Sequence, residues 1–294
     1  MLVSVKITNH KMSSQKVAVV TGGNKGIGLG IVRGLCNRFD GIVYLTARDE
    51  ERGKAAVAQL EKENKKAVFH QLDITSQASV DKLRDFIKTK HGGLDLLINN
   101  AGVSFSTDAP ESISVQASKT IEGNYFGTLK VCEALFPLLR KNGRVVNLSS
   151  AEGHLSKIPT EKLRNEFARK DLTIPELSKL LEKFVKATEN NTHVEDGWGG
   201  ATVYAVSKVG VSALTVIQQR LFDKEKPNRN ISINSVHPGW VITDMTRHKG
   251  LLTTDEGARS ALFAALDAEV KGKYIWRDCT VVDWYSNEMP NPPY

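Results

Sequence analysis

Apolar positions along the chain come in short runs separated by longer amphipathic stretches. The runs at residues 17–21 (VAVVT), 42–46 (IVYLT), 67–72 (AVFHQL), 94–99 (LDLLIN), 144–149 (RVVNLS) and 231–236 (ISINSV) are too short for helices, and β-branched side chains recur in them. The stretches between them, such as 51–63 and 77–90, read as helices. Short apolar strands alternating with helices predict a fold of the α/β class. Its parallel sheet is covered by helices on both faces and its crossovers are right-handed.

The interval 150–200 breaks this rhythm. Within it, Thr173, Pro175 and Glu176 read as a capping box opening a helix, with proline tolerated in the first turn. Leu177, Leu180, Leu181, Phe184 and Val185 then fall at i, i+3, i+4, i+7 and i+8, an apolar stripe that must pack on something. The segment therefore reads as a folded helical insert, about 151–200, within a single domain spanning 15–294. Residues 1–14 read as an N-terminal extension without fixed structure, with Met12 just ahead of the first strand.

Composition narrows the function classes. A chain of 294 residues, 40% hydrophobic and 25% charged, can bury a large core. The net charge of +7 is scattered beside acidic residues, which points to a solvated surface and away from nucleic acid. No apolar stretch approaches the length of a membrane span, and no signal-peptide core is visible. Cys36, Cys132 and Cys279 are odd in number and without paired spacing, which favours a reducing, cytoplasmic setting. The seven histidines show no ligand spacing with cysteines or carboxylates, so no metal is assigned.

The chemistry is concentrated at strand ends. Thr21-Gly22-Gly23-Asn24-Lys25-Gly26-Ile27-Gly28 joins the first strand to the first helix. Glycines there let backbone N–H groups approach a pyrophosphate, and the helix N-terminus adds partial positive charge. The spacing departs from the usual G-x-G-x-x-G, but the strand–turn–helix context is the one a dinucleotide requires. The second strand is followed by Arg48, where a site for a free ribose hydroxyl would carry a carboxylate. With Lys25, it gives two cations suited to a 2′-phosphate, hence NADPH. Tyr204 and Lys208 share one face of a helix at i, i+4, and a nearby ammonium is expected to lower the phenol's pKa.

Taken together, TGGNKGIG, Asn99-Asn100-Ala101-Gly102, Asn124, Ser149-Ser150, Tyr204/Lys208 and Pro238-Gly239 occur in one order at the ends of predicted elements. This resembles the short-chain dehydrogenase/reductase superfamily from about residue 15 to 285. The long insert, and the stretches YLTARDEERG, FHQLDI and PGWVITDM, are similar to the monomeric NADPH carbonyl reductases. The resemblance implies a Rossmann-type doubly wound sheet of about seven strands. It implies Tyr204 as general acid, Ser150 as donor to the substrate oxygen, with Ser149 the competing serine, and Lys208 on the nicotinamide ribose. Asn124 anchors a water in a proton relay. It also implies cofactor contacts from Gly22, Asn24, Lys25, Gly26, Ile27, Gly28 and Arg48. Asp73 and Ile74 meet the adenine, and Asn100, Ala101 and Gly102 wall the ribose. Pro238, Gly239, Val241, Ile242 and Thr243 clasp the carboxamide. Phe105, Ser106 and Thr107, with Trp240 and Met245, would join Ser150 and Tyr204 around the substrate.

His237, ahead of Pro238, stands where such reductases often carry cysteine. It reads as a strand-end residue beside the pocket or as a second acid. The implied activity is NADPH-dependent reduction of quinones, aldehydes, ketones or dicarbonyls by a monomer. The alternatives are a specific alcohol, keto-steroid or ketone dehydrogenase of the same family, and a non-catalytic NADPH-binding scaffold or sensor.

Overall fold

The computed structural model describes residues 15–106 and 108–290. The expected N-terminal extension, 1–14, and the pocket residue Thr107 lie outside the described residues.

The chain runs β1 (Lys16–Val20), α1 (Gly26–Arg38), β2 (Gly41–Ala47), α2 (Glu50–Lys62), β3 (Val68–Gln71), α3 (Gln77–His91) and β4 (Leu94–Asn99). It continues through α4 (Ile113–Ile121), a π-helical turn (Glu122–Phe126), α5 (Gly127–Leu135) and β5 (Leu139–Leu148). The insert contributes α6 (Glu161–Ala168) and α7 (Ile174–Glu189). Then follow α8 (Val203–Asp223), β6 (Ser232–Val236), α9 (Thr254–Leu266), β7 (Tyr274–Ile275) and β8 (Val281–Val282).

The strands lie in the order β3-β2-β1-β4-β5-β6-β7-β8. All neighbours are parallel except β7 and β8. The six strand runs of the sequence are all present. The sheet is one strand larger than expected because it closes with a short antiparallel hairpin. At two residues each, β7 and β8 are too short to show any alternation. Chain order reverses between β1 and β4, which opens a crevice beyond their C-terminal ends.

Side-chain alternation sorts the core. Ala18 and Val20 pack with Ile31 and Val32 of α1 and with Ala258 and Ala261 of α9. Val17 and Val19 face the opposite layer with Leu83, Ile87 and Leu135 of α3 and α5. Local signals set the helix ends: Asp49 caps α2, Ser76 caps α3, and Gly92 ends α3 in the left-handed region that glycine favours.

The insert folds as its pattern dictates. The Thr173 hydroxyl accepts from Glu176 N–H, and the Glu176 carboxylate accepts from Thr173 N–H at 2.9 Å. The stripe Leu177, Leu180, Leu181 and Phe184 is buried against Val206, Val209, Ala213 and Ile217 of α8. Gly210 allows the close approach: a Cβ there would stand 2.7 Å from Leu181 Cδ1. The apolar face of α7 is thus spent on the helix that carries Tyr204 and Lys208.

Candidate active site

The crevice holds a cleft of about 620 Å³. Its near wall is the glycine turn. Gly22 and Gly26 have positive φ, and a Cβ on Gly28 would lie 2.2 Å from Gly22 O and 2.5 Å from Asn100 Nδ2. Side chains are therefore excluded, and the N-terminus of α1 faces open space. The turn is fastened from β4: Asn100 Nδ2 donates to Thr21 O (2.9 Å) and Gly22 O (3.0 Å), and Ala101 N–H donates to Thr21 Oγ1 (3.0 Å). The Asn100 amide thus shapes the turn, while Asn100, Ala101 and Gly102 still line the cleft.

Asn24, Lys25, Ile27, Arg48, Asp73 and Ile74 also line it, as the sequence implied. Asp73 is partly committed, its Oδ1 accepting from Thr75 N (2.9 Å) and Thr75 Oγ1 (2.7 Å). Arg48 is exposed, and its guanidinium has no partner among the described residues. Lys25 differs from expectation. Its ammonium pairs with Asp244 at 2.6 Å across the cleft, and this hydrogen bond lowers the Asp244 pKa. Both side chains are 61% exposed, so solvent screens the pair and an incoming anion can compete for it.

Among the later residues, Pro238, Ile242, Thr243 and Met245 line the cleft. Val241 does not: it is buried and bridges Leu252. Gly239, Trp240 and Phe105 also lie outside the lining, so the expected clasp and pocket are only partly assembled. Sequence reasoning missed Asp244, His248 and Thr254, which do line it. Asp244, in the quoted run PGWVITDM beside Thr243, was the one within reach.

Of the catalytic candidates, Tyr204, Lys208 and the competing Ser149 line the cleft, whereas Ser150 lies outside its lining beside Tyr204. Tyr204 and Lys208 stand one turn apart on α8, with Lys208 Nζ 5.6 Å from the phenol ring centroid. Ser150 is the serine whose hydroxyl acts on the phenol, lowering its pKa. The Ser149 hydroxyl instead bonds Ser212 Oγ (2.7 Å) and Lys208 O (3.2 Å), turned into α8. Adjacent residues at a strand end point to opposite faces, and only the second serine reaches the tyrosine. Asn124 is buried in the π-helical turn. Its amide holds Val103 N (2.7 Å), Val103 O (2.9 Å) and Ser207 Oγ (2.9 Å), and its side chain does not line the cleft.

The expected lowering of the Tyr204 pKa is not what the geometry gives. Burial pushes the phenol up to about 12, opposed in part by the Ser150 hydrogen bond. Lys208 fails to reverse this because its ammonium lies over the ring and donates to Leu148 O (2.8 Å). Lys208 is 5% exposed, and burial pushes its own pKa down to about 8. Folding thus costs this lysine its charge above about pH 8, whereas an unfolded lysine keeps its proton to about 10.5. In that window the unfolded state binds more protons, so stability rises with pH. The cofactor-free protein is expected to gain about 2 kcal/mol relative to Lys208→Met between pH 8 and 10. Parallel denaturation curves for the two proteins across that range would contradict the assignment.

His237 is 1% exposed, and its Nδ1 accepts from Ala151 N–H at 2.9 Å. It acts on the backbone next to Ser150 and does not line the cleft. Among the described residues, no group of three His, Cys, Asp or Glu side chains gathers to hold a metal ion, and no helix is long and apolar enough to cross a membrane.

The glycine cradle, the α1 N-terminus and the exposed Arg48 fit a phosphorylated dinucleotide lying along the cleft, with its reactive end at Tyr204. Comparison with known proteins agrees. Residues 16–160 match the family described as short chain dehydrogenase. The chain is 44% identical to carbonyl reductase (NADPH) 3 of Rattus norvegicus over 92% of this chain and 99% of the relative. It is 45% identical to carbonyl reductase (NADPH) 1 of Bos taurus over the same shares. The solved structure of salutaridine reductase from Papaver somniferum superposes with a TM-score of 0.80 at 33% identity, covering 90% of this chain and all of that one. Fold, site and sequence together place this chain in the short-chain dehydrogenase/reductase family.

Proposed function

We propose that this protein reduces carbonyl compounds to alcohols with NADPH as its cofactor. The observation that carries the reading is Tyr204, with Ser150 beside it, lining the same cleft as Arg48. When bound, NADPH supplies the hydride. The protein's part is to orient the carbonyl and stabilise its oxygen as negative charge develops there. Ser150 and Tyr204 offer two hydroxyls to one point. A phenol with a pKa near 12 is fully protonated at neutral pH, the state a proton donor needs. Lys208 sets a positive charge beside that phenol and helps to hold the nicotinamide ribose.

The test is NADPH consumption on adding quinones, aromatic aldehydes, ketones and dicarbonyls. Turnover of several classes is expected, and NADPH binding without turnover of any of them would leave only the scaffold reading. A second reading, a reductase of one particular ketone, is favoured by the likeness to salutaridine reductase, and the same panel separates the two. Within the reading, Ser150→Ala should cost about 10²–10³-fold in kcat, as loss of a donor to a developing oxyanion does. Ser149→Ala should cost far less, and the reverse ranking would move the role to Ser149.

We further take 15–294 to be one domain that acts as a monomer in the cytoplasm. The burial of α7 against α8 supports the first two points, since it covers an apolar face of α8 that a second copy would otherwise need to cover. The three unpaired cysteines support the third. Light scattering should give a mass near 32.4 kDa, and twice that value would oppose the monomer.

A further inference from the structure

The Ser150–Ala151 peptide bond is held at both of its polar ends. Its carbonyl oxygen accepts a hydrogen bond from the Tyr274 hydroxyl. Its N–H donates to His237 Nδ1 at 2.9 Å. In a trans peptide these two groups point in opposite directions, so the pair of bonds fixes the peptide plane against rotation. The two side chains come from different strands, His237 from just beyond β6 and Tyr274 from β7. Trp276 braces both, its ring centroid 4.4 Å from that of His237 and 6.0 Å from that of Tyr274. All three side chains are buried. A second N–H, that of Gly239, also points at His237 Nδ1 at 3.3 Å. A nitrogen that accepts from two N–H groups carries no proton, so the ring proton is on Nε2. A little further along the same turn, Trp284 Nε1 donates to Gly153 O at 2.8 Å.

We propose that His237 and Tyr274 are positioning residues for catalysis, clamping the Ser150–Ala151 peptide so that the Ser150 hydroxyl stays aimed at the substrate oxygen. The proposal rests on the reading of Ser150 given above. Within the turn, the Ser150 carbonyl oxygen also accepts from Gly153 N–H at 2.9 Å, a bond that fixes the turn to the peptide but does not tie either to the sheet. Ser150 lies two residues beyond β5 in extended backbone (φ −170°), and its Oγ accepts a long bond from Glu152 N, 3.2 Å, beside its contact with Tyr204. Without the clamp, the serine can swing with the turn that follows it. A donor displaced by a fraction of an ångström loses more of its bond to a developing oxyanion than to a neutral carbonyl. The clamp therefore acts on kcat and leaves KM and cofactor binding largely alone.

The experiment compares Tyr274→Phe and His237→Leu with the unmodified protein for NADPH binding, kcat and KM on one reactive diketone, and repeats both changes in a Ser150→Ala background. Tyr274→Phe removes one oxygen from a ring that otherwise stays packed. Each variant is expected to lose about ten- to hundredfold in kcat, in line with small misplacements of catalytic groups, with KM and NADPH affinity nearly unchanged. His237→Asn, whose Oδ1 can stand in for Nδ1 as acceptor, should recover most of the loss. In the Ser150→Ala background both changes should be nearly silent, because the group they position is gone. Unchanged kcat in Tyr274→Phe, or the same loss with and without Ser150, overturns the clamp. Full activity of Ser150→Ala alone would instead overturn the serine's role, so the two failures are told apart.

Discussion

Tyr204→Phe is expected to lower kcat for carbonyl reduction by about 10²–10⁴-fold, the usual worth of a positioned general acid. The change removes only the hydroxyl. The ring keeps its place on α8, so Lys208 still lies against its face and the cleft keeps its shape. NADPH affinity should therefore hold, and the loss should fall on the chemical step. Single-turnover measurement makes the distinction, because it separates chemistry from product release. Retention of more than a tenth of wild-type turnover, with chemistry rate-limiting, would remove Tyr204 from its role. Only loss of the hydroxyl, and not a change of charge, is being tested, since the phenol is neutral at the working pH.

Arg48→Asp should abolish or reverse the preference for NADPH over NADH. The 2′-phosphate is the feature that separates the two cofactors, and Arg48 can meet it with a planar fork of donors. Hydrogen bonds to charged groups contribute about 1.5–3 kcal/mol each, so the unmodified protein should prefer NADPH by about 10²-fold or more in kcat/KM. Lys25 adds less than its charge suggests, because it must first give up Asp244. Aspartate at position 48 both repels the phosphate and offers an acceptor to a free ribose hydroxyl. Added salt should weaken NADPH binding more than NADH binding. Equal efficiency with both cofactors in the unmodified protein would sink the assignment of Arg48.

What the sequence determined by itself is what local periodicity can carry. Six strands, the covering helices and the dinucleotide turn were legible because backbone period, glycine placement and strand–helix alternation are written within a few residues of each other. The same holds for α7, where the capping box and the apolar stripe lie within one helix. Family membership was legible because TGGNKGIG, Ser149-Ser150 and Tyr204/Lys208 stand in order along the chain. The tertiary structure decided whatever depends on partners far apart in sequence. The Lys25–Asp244 pair joins residues 219 positions apart, and no local pattern announces it. The capture of the Ser149 hydroxyl by Ser212 and by Lys208 O is likewise invisible in the local pattern. The direction of the Tyr204 pKa was misread from the i, i+4 lysine because burial, summed over every element around the phenol, outweighs one ammonium aimed elsewhere. His237 stayed ambiguous for the same reason: its partner is a peptide N–H at position 151, brought to it only when β5 and β6 pair.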